Sequence, residues 1–262
     1  MDYKIHLILP IAFFSAAVAA QETIETVDVI GKKEWALTNI PSSSTTVGSE
    51  HIEAMFSAGA DISALSLTAP SLYVEGSNGR YGQRFYIRGL GNTDFDFSAS
   101  QPVAVYSDGV VQESGVLRSF PLLDIKEVEI LRGPQGSLYG RNSTAGAVLI
   151  TTNTPTNDDE GYVKIAVGNY GATNLEAVLN TSLADNVFSR TAIITQNRDD
   201  WIDNAYLNDD SSLGGFNDSA IRQKILWEAN DQLSALLELR ARKLVTDQLT
   251  PPCKLTFQGS SA

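Results

Sequence analysis

Ile125-Lys126-Glu127-Val128-Glu129-Ile130-Leu131-Arg132-Gly133-Pro134-Gln135-Gly136-Ser137-Leu138-Tyr139-Gly140-Arg141-Asn142 is the stretch that decides the fold. Its first seven residues alternate, which predicts a strand with Val128 and Ile130 turned inward. The strand runs straight into recurring glycines, which continue to Gly146 and predict close backbone packing. A phosphate-cradling loop is the alternative for such a segment. It needs a Gly-Lys-Ser/Thr and a following helix, and neither is present. The sequon Asn142-Ser143-Thr144 is read as chance.

Short apolar strands and glycine turns extend outward on both sides. Ala147 to Thr152 reads as a further strand. Pro102-Val103-Ala104-Val105-Tyr106, then Ser107-Asp108-Gly109, then Val110-Val111 reads as a hairpin, with Asp-Gly supplying the positive φ of a tight turn. Arg84 to Arg88 predicts a strand with Phe85 and Ile87 on one face, Tyr86 and Arg88 on the other. Ser49 to Phe56 and Asp61 to Leu67 have helical spacing, and Pro70 stops the second. Together these bound a domain over 48–155.

Ahead of it, residues 21–47 are polar and read as a tether that includes Pro41-Ser42-Ser43-Ser44-Thr45-Thr46. Within it, Glu25-Thr26-Val27-Asp28-Val29-Ile30-Gly31 is β-prone. Two readings stand: a strand added to another protein's sheet edge, or the first strand of the following domain. Residues 1–20 carry Lys4, then an apolar run from Leu7 to Ala20 that closes on Ala17-Val18-Ala19. The run is shorter than the ~20 residues of a membrane-spanning helix and predicts a cleaved signal peptide.

Beyond Pro155 the segments lengthen. Tyr162 to Val167 sets Val163, Ile165 and Val167 against Lys164. Asn174 to Leu183 sets Leu175, Ala177, Leu179 and Leu183 against Asn174, Glu176, Asn180 and Ser182. Ala220 to Glu228 sets Ile221, Ile225 and Trp227 against Arg222, Lys224 and Glu228. Strands of ~10 residues, apolar on one side and polar on the other, are what an outer-membrane barrel requires. Val187 to Gln196 alternates less cleanly. Leu233 to Leu244 fits a strand or an amphipathic helix.

Composition narrows the function. The 262 residues hold 31 acidic and 19 basic side chains, a net −12, which argues against nucleic-acid binding. One cysteine, Cys253, excludes an internal disulfide and any cysteine-based zinc cluster, and two histidines exclude a His-rich metal site. No cofactor, metal or catalytic constellation is expected, and the chain is not read as an enzyme.

Tyr86-Ile87-Arg88-Gly89, Glu129-Ile130-Leu131-Arg132-Gly133-Pro134-Gln135-Gly136, Leu138-Tyr139-Gly140-Arg141-Asn142 and Gly146-Ala147-Val148-Leu149-Ile150 together resemble the plug domain of TonB-dependent outer-membrane receptors. The resemblance implies an α+β plug, a small mixed sheet with short helices over 48–155, followed by the start of an antiparallel transmembrane β-barrel over 156–262. Plugged transporters of this kind have 22 strands, roughly 220 residues of strand alone, whereas 107 residues follow Pro155. A truncated barrel is therefore expected.

The family also implies roles. Thr26, Val27, Asp28, Val29 and Ile30 resemble a TonB box, with Asp28 departing from the usual apolar choice. Arg88 and Arg132 are implied to latch the plug to glutamates on the barrel wall; within this chain Glu127, Glu129 and Asp124 are the available acids. Tyr81, Phe95 and Phe97 are candidate ligand contacts, in loops Gly76 to Gln83 and Gly91 to Gln101, with packing against the wall as their alternative. Implied partners are TonB with its inner-membrane energising complex, outer-membrane lipid and a ligand such as a ferric siderophore. Vitamin B12, a carbohydrate or another large solute stays open as cargo. So does a signalling or surface-binding receptor, although Gln21 to Glu25 leaves no room for the extra domain such receptors carry.

Overall fold

A computed structural model of the chain describes residues 43–57, 59, 61–76, 79–94, 99–202, 213–230 and 232–246. Two five-stranded sheets organise them. The first is mixed, in the order β1-β6-β7-β4-β5, built from β1 (Ser43–Gly48), β4 (Val103–Ser107), β5 (Val110–Val111), β6 (Ile125–Arg132) and β7 (Gly146–Thr152). Every pairing is antiparallel except β4 with β7, which is parallel and starts at Val103 opposite Gly146.

Alternation divides the side chains of this sheet between its faces. Val103, Val105, Val128, Ile130, Val148 and Ile150 enter the main core. There they meet Ile52 of α1 (Ser49–Ser57), Ile62 and Leu65 of a 3₁₀ turn (Ile62–Leu67), and Leu72, Val74, Phe85 and Ile87 of the small hairpin β2–β3. That hairpin joins β2 (Leu72–Glu75) to β3 (Arg84–Ile87). Ala104, Leu131 and Ala147 pack on the opposite face with Tyr106 and Tyr139. Asp61 caps the 3₁₀ turn, its carboxylate accepting from the Ser63 amide at 2.9 Å. Two further helices are single turns, α2 (Gly115–Arg118) and α3 (Gly136–Tyr139).

Two details differ from the sequence reading. Ser43 to Thr46, expected to end a tether, form most of β1, because the β6 edge offers them a ladder from Ser43–Arg132 to Gly48–Glu127. Nor do the motif glycines share one purpose. A Cβ on Gly146 would lie 2.2 Å from the Leu131 carbonyl oxygen, which is the close packing expected. Gly140 instead sits at φ +66, and Gly136 has open space around it. The Asp108-Gly109 turn has φ values of 47 and 80, as its sequence requires.

The second sheet is an antiparallel meander, β8 (Glu160–Val167), β9 (Thr173–Ala184), β10 (Val187–Arg198), β11 (Phe216–Asn230) and β12 (Leu233–Thr246), in chain order. The ambiguous Leu233 to Leu244 segment is strand, since β11 presents an edge that pairs with it from Phe216–Thr246 to Asn230–Leu233. One face exposes Val163, Ile165, Val167, Leu179, Leu183, Trp227, Leu237 and Leu239. The other buries Asn174, Glu176, Asn180, Arg190, Gln196, Asp218, Arg222 and Lys224. This inside-out distribution suits a sheet with lipid on one side and a polar body on the other.

Candidate functional site at the junction of the two sheets

Buried charges need partners, and the inward charges of the second sheet find them on the first domain. Arg190 of β10 grips Asp124 in a two-pronged pair, Nε to Oδ2 at 2.7 Å and Nη2 to Oδ1 at 2.8 Å, with its Nη1 on Glu160 at 2.9 Å. Such a fork fixes orientation as well as distance. The Asp124 amide donates to Glu176 Oε1 at 3.2 Å, and the Tyr162 hydroxyl donates to the same oxygen at 2.7 Å. Asp124 holds this position at φ 50, where the chain turns into β6.

Next to it, Leu123 is fully buried against Val178, Ala192, Ile194 and Ala220 of the second sheet. Its carbonyl accepts from Arg222 Nη1 at 2.6 Å. Lys224 reaches the Asp108 carboxylate at 3.0 Å, the Asn153 carbonyl at 3.2 Å and the Thr152 hydroxyl. Asp108 also accepts from the Thr152 amide at 2.8 Å and the Thr152 hydroxyl at 2.7 Å. Burial opposes ionisation of Asp108, but these donors and the Lys224 ammonium outweigh it and hold the carboxyl below the usual carboxylate range.

A third cluster centres on Asp218 of β11, which two guanidiniums share. Arg242 of β12 donates to it through Nε at 2.8 Å and Nη2 at 2.7 Å, while Arg80 reaches it from the first domain at 3.3 Å. Arg242 Nη1 also donates to the Ser119 carbonyl at 2.6 Å, and Arg80 to Gln196 Oε1 at 2.6 Å and the Gly59 carbonyl. The Phe216 ring lies under the Arg80 guanidinium, 3.7 Å away. Burial pushes Arg80 below its ordinary range, with Asp61 and Asp218 opposing that shift.

A domain clamped by charge to the polar face of a membrane-type sheet is the arrangement of a plug in a pore. Residues 36–147 match the TonB-dependent Receptor Plug Domain. This stretch of the chain is a TonB-dependent receptor plug domain. It is 27% identical to the pesticin receptor of Yersinia enterocolitica over 82% of this chain and 32% of that receptor. With the ferrioxamine receptor of the same organism it shares 23% identity over 60% of this chain and 20% of the relative. Its fold matches the crystal structure of the ferric yersiniabactin uptake receptor of Yersinia pestis with a TM-score of 0.68 at 24% identity, covering 77% of this chain and 31% of that one. The chain thus spans about a third of the length of these receptors or less. The α+β plug followed by antiparallel barrel strands is the fold expected from the motifs.

The site residues expected from sequence scatter. Arg132 is half-buried and spends its donors within the plug, Nε on the Ser43 carbonyl at 3.2 Å, Nη2 on Ser44 at 3.1 Å and Nη1 on Pro70 at 3.1 Å. Arg88 is exposed at φ 54 in the turn that closes Ile87 against Leu90. Asp124, one of the acids available to these arginines, belongs to Arg190. Tyr81 is 40% exposed, beside the buried Arg80. Phe95, Phe97 and the box Thr26 to Ile30 lie outside the described residues.

The clamp itself was not identified from sequence. A signal for half of it existed. Arg222 and Lys224 fall on the inward face, and inward cations demand acids or carbonyls opposite. Which acids answer depends on the plug's seating, which no local pattern encodes.

Proposed function

We propose that this chain is the leading part of a TonB-dependent outer-membrane transporter that takes up a scarce large solute, an iron–siderophore complex. The clamp carries the reading. A plug held by Asp108, Asp124 and Arg80 to inward charges of a lipid-facing sheet is built to block a pore and to be displaced when ligand arrives. The relatives' iron and siderophore names support the cargo. The edges of β8 and β12 would be left open in lipid, which favours closure by further strands.

In this reading residues 1–20 are a cleaved signal peptide, 21–47 a periplasmic tether, 48–155 the plug and 156–262 the first barrel strands. Thr26 to Ile30 is the TonB box, through which TonB and its inner-membrane energising complex pull. Arg88 and Arg132 are the proposed latch of plug to barrel, Arg132 by exchanging a carbonyl of the plug for an acid of the barrel wall, and Tyr81, Phe95 and Phe97 are the proposed ligand contacts. Deleting the gene tests the function. Growth on ferric siderophores as sole iron source should fail and return with the intact gene. Unchanged growth and unchanged radio-iron uptake across hydroxamate, catecholate and thiazoline siderophores would overturn the iron reading.

A further inference from the structure

Arg80 differs from the other clamping groups in what its departure would leave behind. Asp218 is held by Arg242 of the same sheet at 2.8 and 2.7 Å, whereas Arg80 reaches it at 3.3 Å. The Phe216 ring, 3.7 Å from Arg80, has Arg198 of its own sheet 5.0 Å away. On the plug side Arg80 donates to the Gly59 carbonyl and is attracted by Asp61. Parting Arg80 from the sheet thus leaves both Asp218 and Arg80 an opposite charge on their own side.

The other two plug–barrel ion pairs lack this property. Among the described residues of the plug, Asp124 has one side-chain donor, the neutral Asn153 Nδ2 at 2.7 Å. Asp108 has the amide and hydroxyl of Thr152. Losing Arg190 or Lys224 therefore strands a carboxylate. Leu123, beside Asp124, is fully buried, which keeps water from that pair.

The chain around Arg80 also carries hinges. Gly79 and Gly82 bracket Arg80 and Tyr81 at φ 64 and 72, left-handed values that glycine adopts freely. Tyr81 is 40% exposed, so the segment borders solvent, which hydrates a freed guanidinium. Gln83 fixes its far end, the amide donating to Ser119 Oγ at 2.8 Å and Nε2 to Asp61 at 2.6 Å.

We propose that Arg80 and Tyr81 form a hinged arm that leaves the barrel sheet while Asp124 and Asp108 still hold the plug, Arg242 retaining Asp218. The arm rests on these contacts and not on what the protein carries, so loss of the iron reading leaves it standing.

Chemical labelling tests it, because the Arg80 and Arg190 side chains are equally withdrawn, 9% and 8% exposed. The full-length protein in detergent is treated with phenylglyoxal, and each arginine is followed by peptide mass spectrometry. Arg80 should be labelled roughly tenfold faster than Arg190 or more, through local opening. Arg242→Gln should slow the labelling of Arg80 severalfold, because Asp218 then depends on Arg80 alone. Adding Asp218→Asn to that variant should restore fast labelling, since no carboxylate is left to strand. Equal rates for Arg80 and Arg190 in the wild type would overturn the arm, even if a variant fails to insert. Faster labelling of Arg80 in Arg242→Gln would overturn it too, since that is what simple loosening of the junction gives.

Discussion

Asp124 and Arg190, 66 residues apart, meet in a two-pronged pair with both side chains almost wholly withdrawn from solvent. The contact joins the strand-entry turn of the plug to an inward position of the third strand from the start of the second sheet. Because it is buried, its value lies in the penalty for breaking it. Removing Arg190 strands the buried Asp124 carboxylate, whereas removing both leaves only the exposed Glu160, which water can solvate.

The first prediction concerns that asymmetry. In the full-length protein, Arg190→Met should destabilise the plug–barrel junction by about 3–5 kcal/mol. The double variant Arg190→Met with Asp124→Leu should recover much of the loss. Chemical denaturation in detergent, followed by limited proteolysis of the plug, reads both. A double variant as weak as the sum of the two single ones would contradict the pairing.

Acid should loosen the Asp108–Lys224 contact. The folded-state carboxyl titrates below the usual carboxylate range, so its contribution is fully present above about pH 4, the ordinary carboxylate value. It is lost as pH falls through the lower folded-state value. Asp108→Asn should flatten that part of the stability profile while lowering stability at neutral pH. Denaturation midpoints between pH 7 and 3 measure it, and an identical acid slope in the variant would count against the contact.

Two glycines of one motif should behave oppositely. Gly146→Ala puts a methyl 2.2 Å from the Leu131 carbonyl oxygen, an overpacking that costs about 1–3 kcal/mol. Gly136→Ala meets open space at the first residue of α3, and alanine favours helix. Its melting temperature should stay level or rise slightly.

Arg132 holds β1 through the Ser43 and Ser44 carbonyls and the loop at Pro70 through a third. Arg132→Ala should free that strand, costing about 1–2 kcal/mol of local stability and speeding amide exchange over Thr45 to Gly48. If the arginine also latches the barrel in the whole protein, passive leakage of large solutes should increase too. Faster exchange with unchanged leakage would confine Arg132 to the plug.

At the tether, Val27→Pro removes a backbone donor from the segment proposed to pair with TonB. Energised uptake should be abolished while ligand binding at the cell surface persists. Wild-type uptake would show that the box lies elsewhere.

Local pattern was enough for much of the architecture. Phe85 and Ile87 on one side of β3, the Asp108-Gly109 turn, and Val163, Ile165 and Val167 on the outer face of β8 all follow from period-two alternation or turn chemistry, which act between near neighbours. The plug motifs carried the family for the same reason, being contiguous runs of residues. Ser43 to Thr46 escaped that reading because a polar Ser/Thr stretch becomes a strand only when an edge is offered to it, and β6 offers one.

Tertiary structure alone decided the charges. Sequence placed Arg222 and Lys224 on the inward face but could not tell which acid or carbonyl each would meet. The partners Leu123 and Asp108 come from a loop and a turn some hundred residues away. Nor could it separate Arg132, bound to three carbonyls, from Arg118, buried with its Nε unmatched. Both are arginines at the ends of short elements. What distinguishes them is the set of groups that folding brings within reach, and a guanidinium's partners are fixed by distance in space rather than position along the chain.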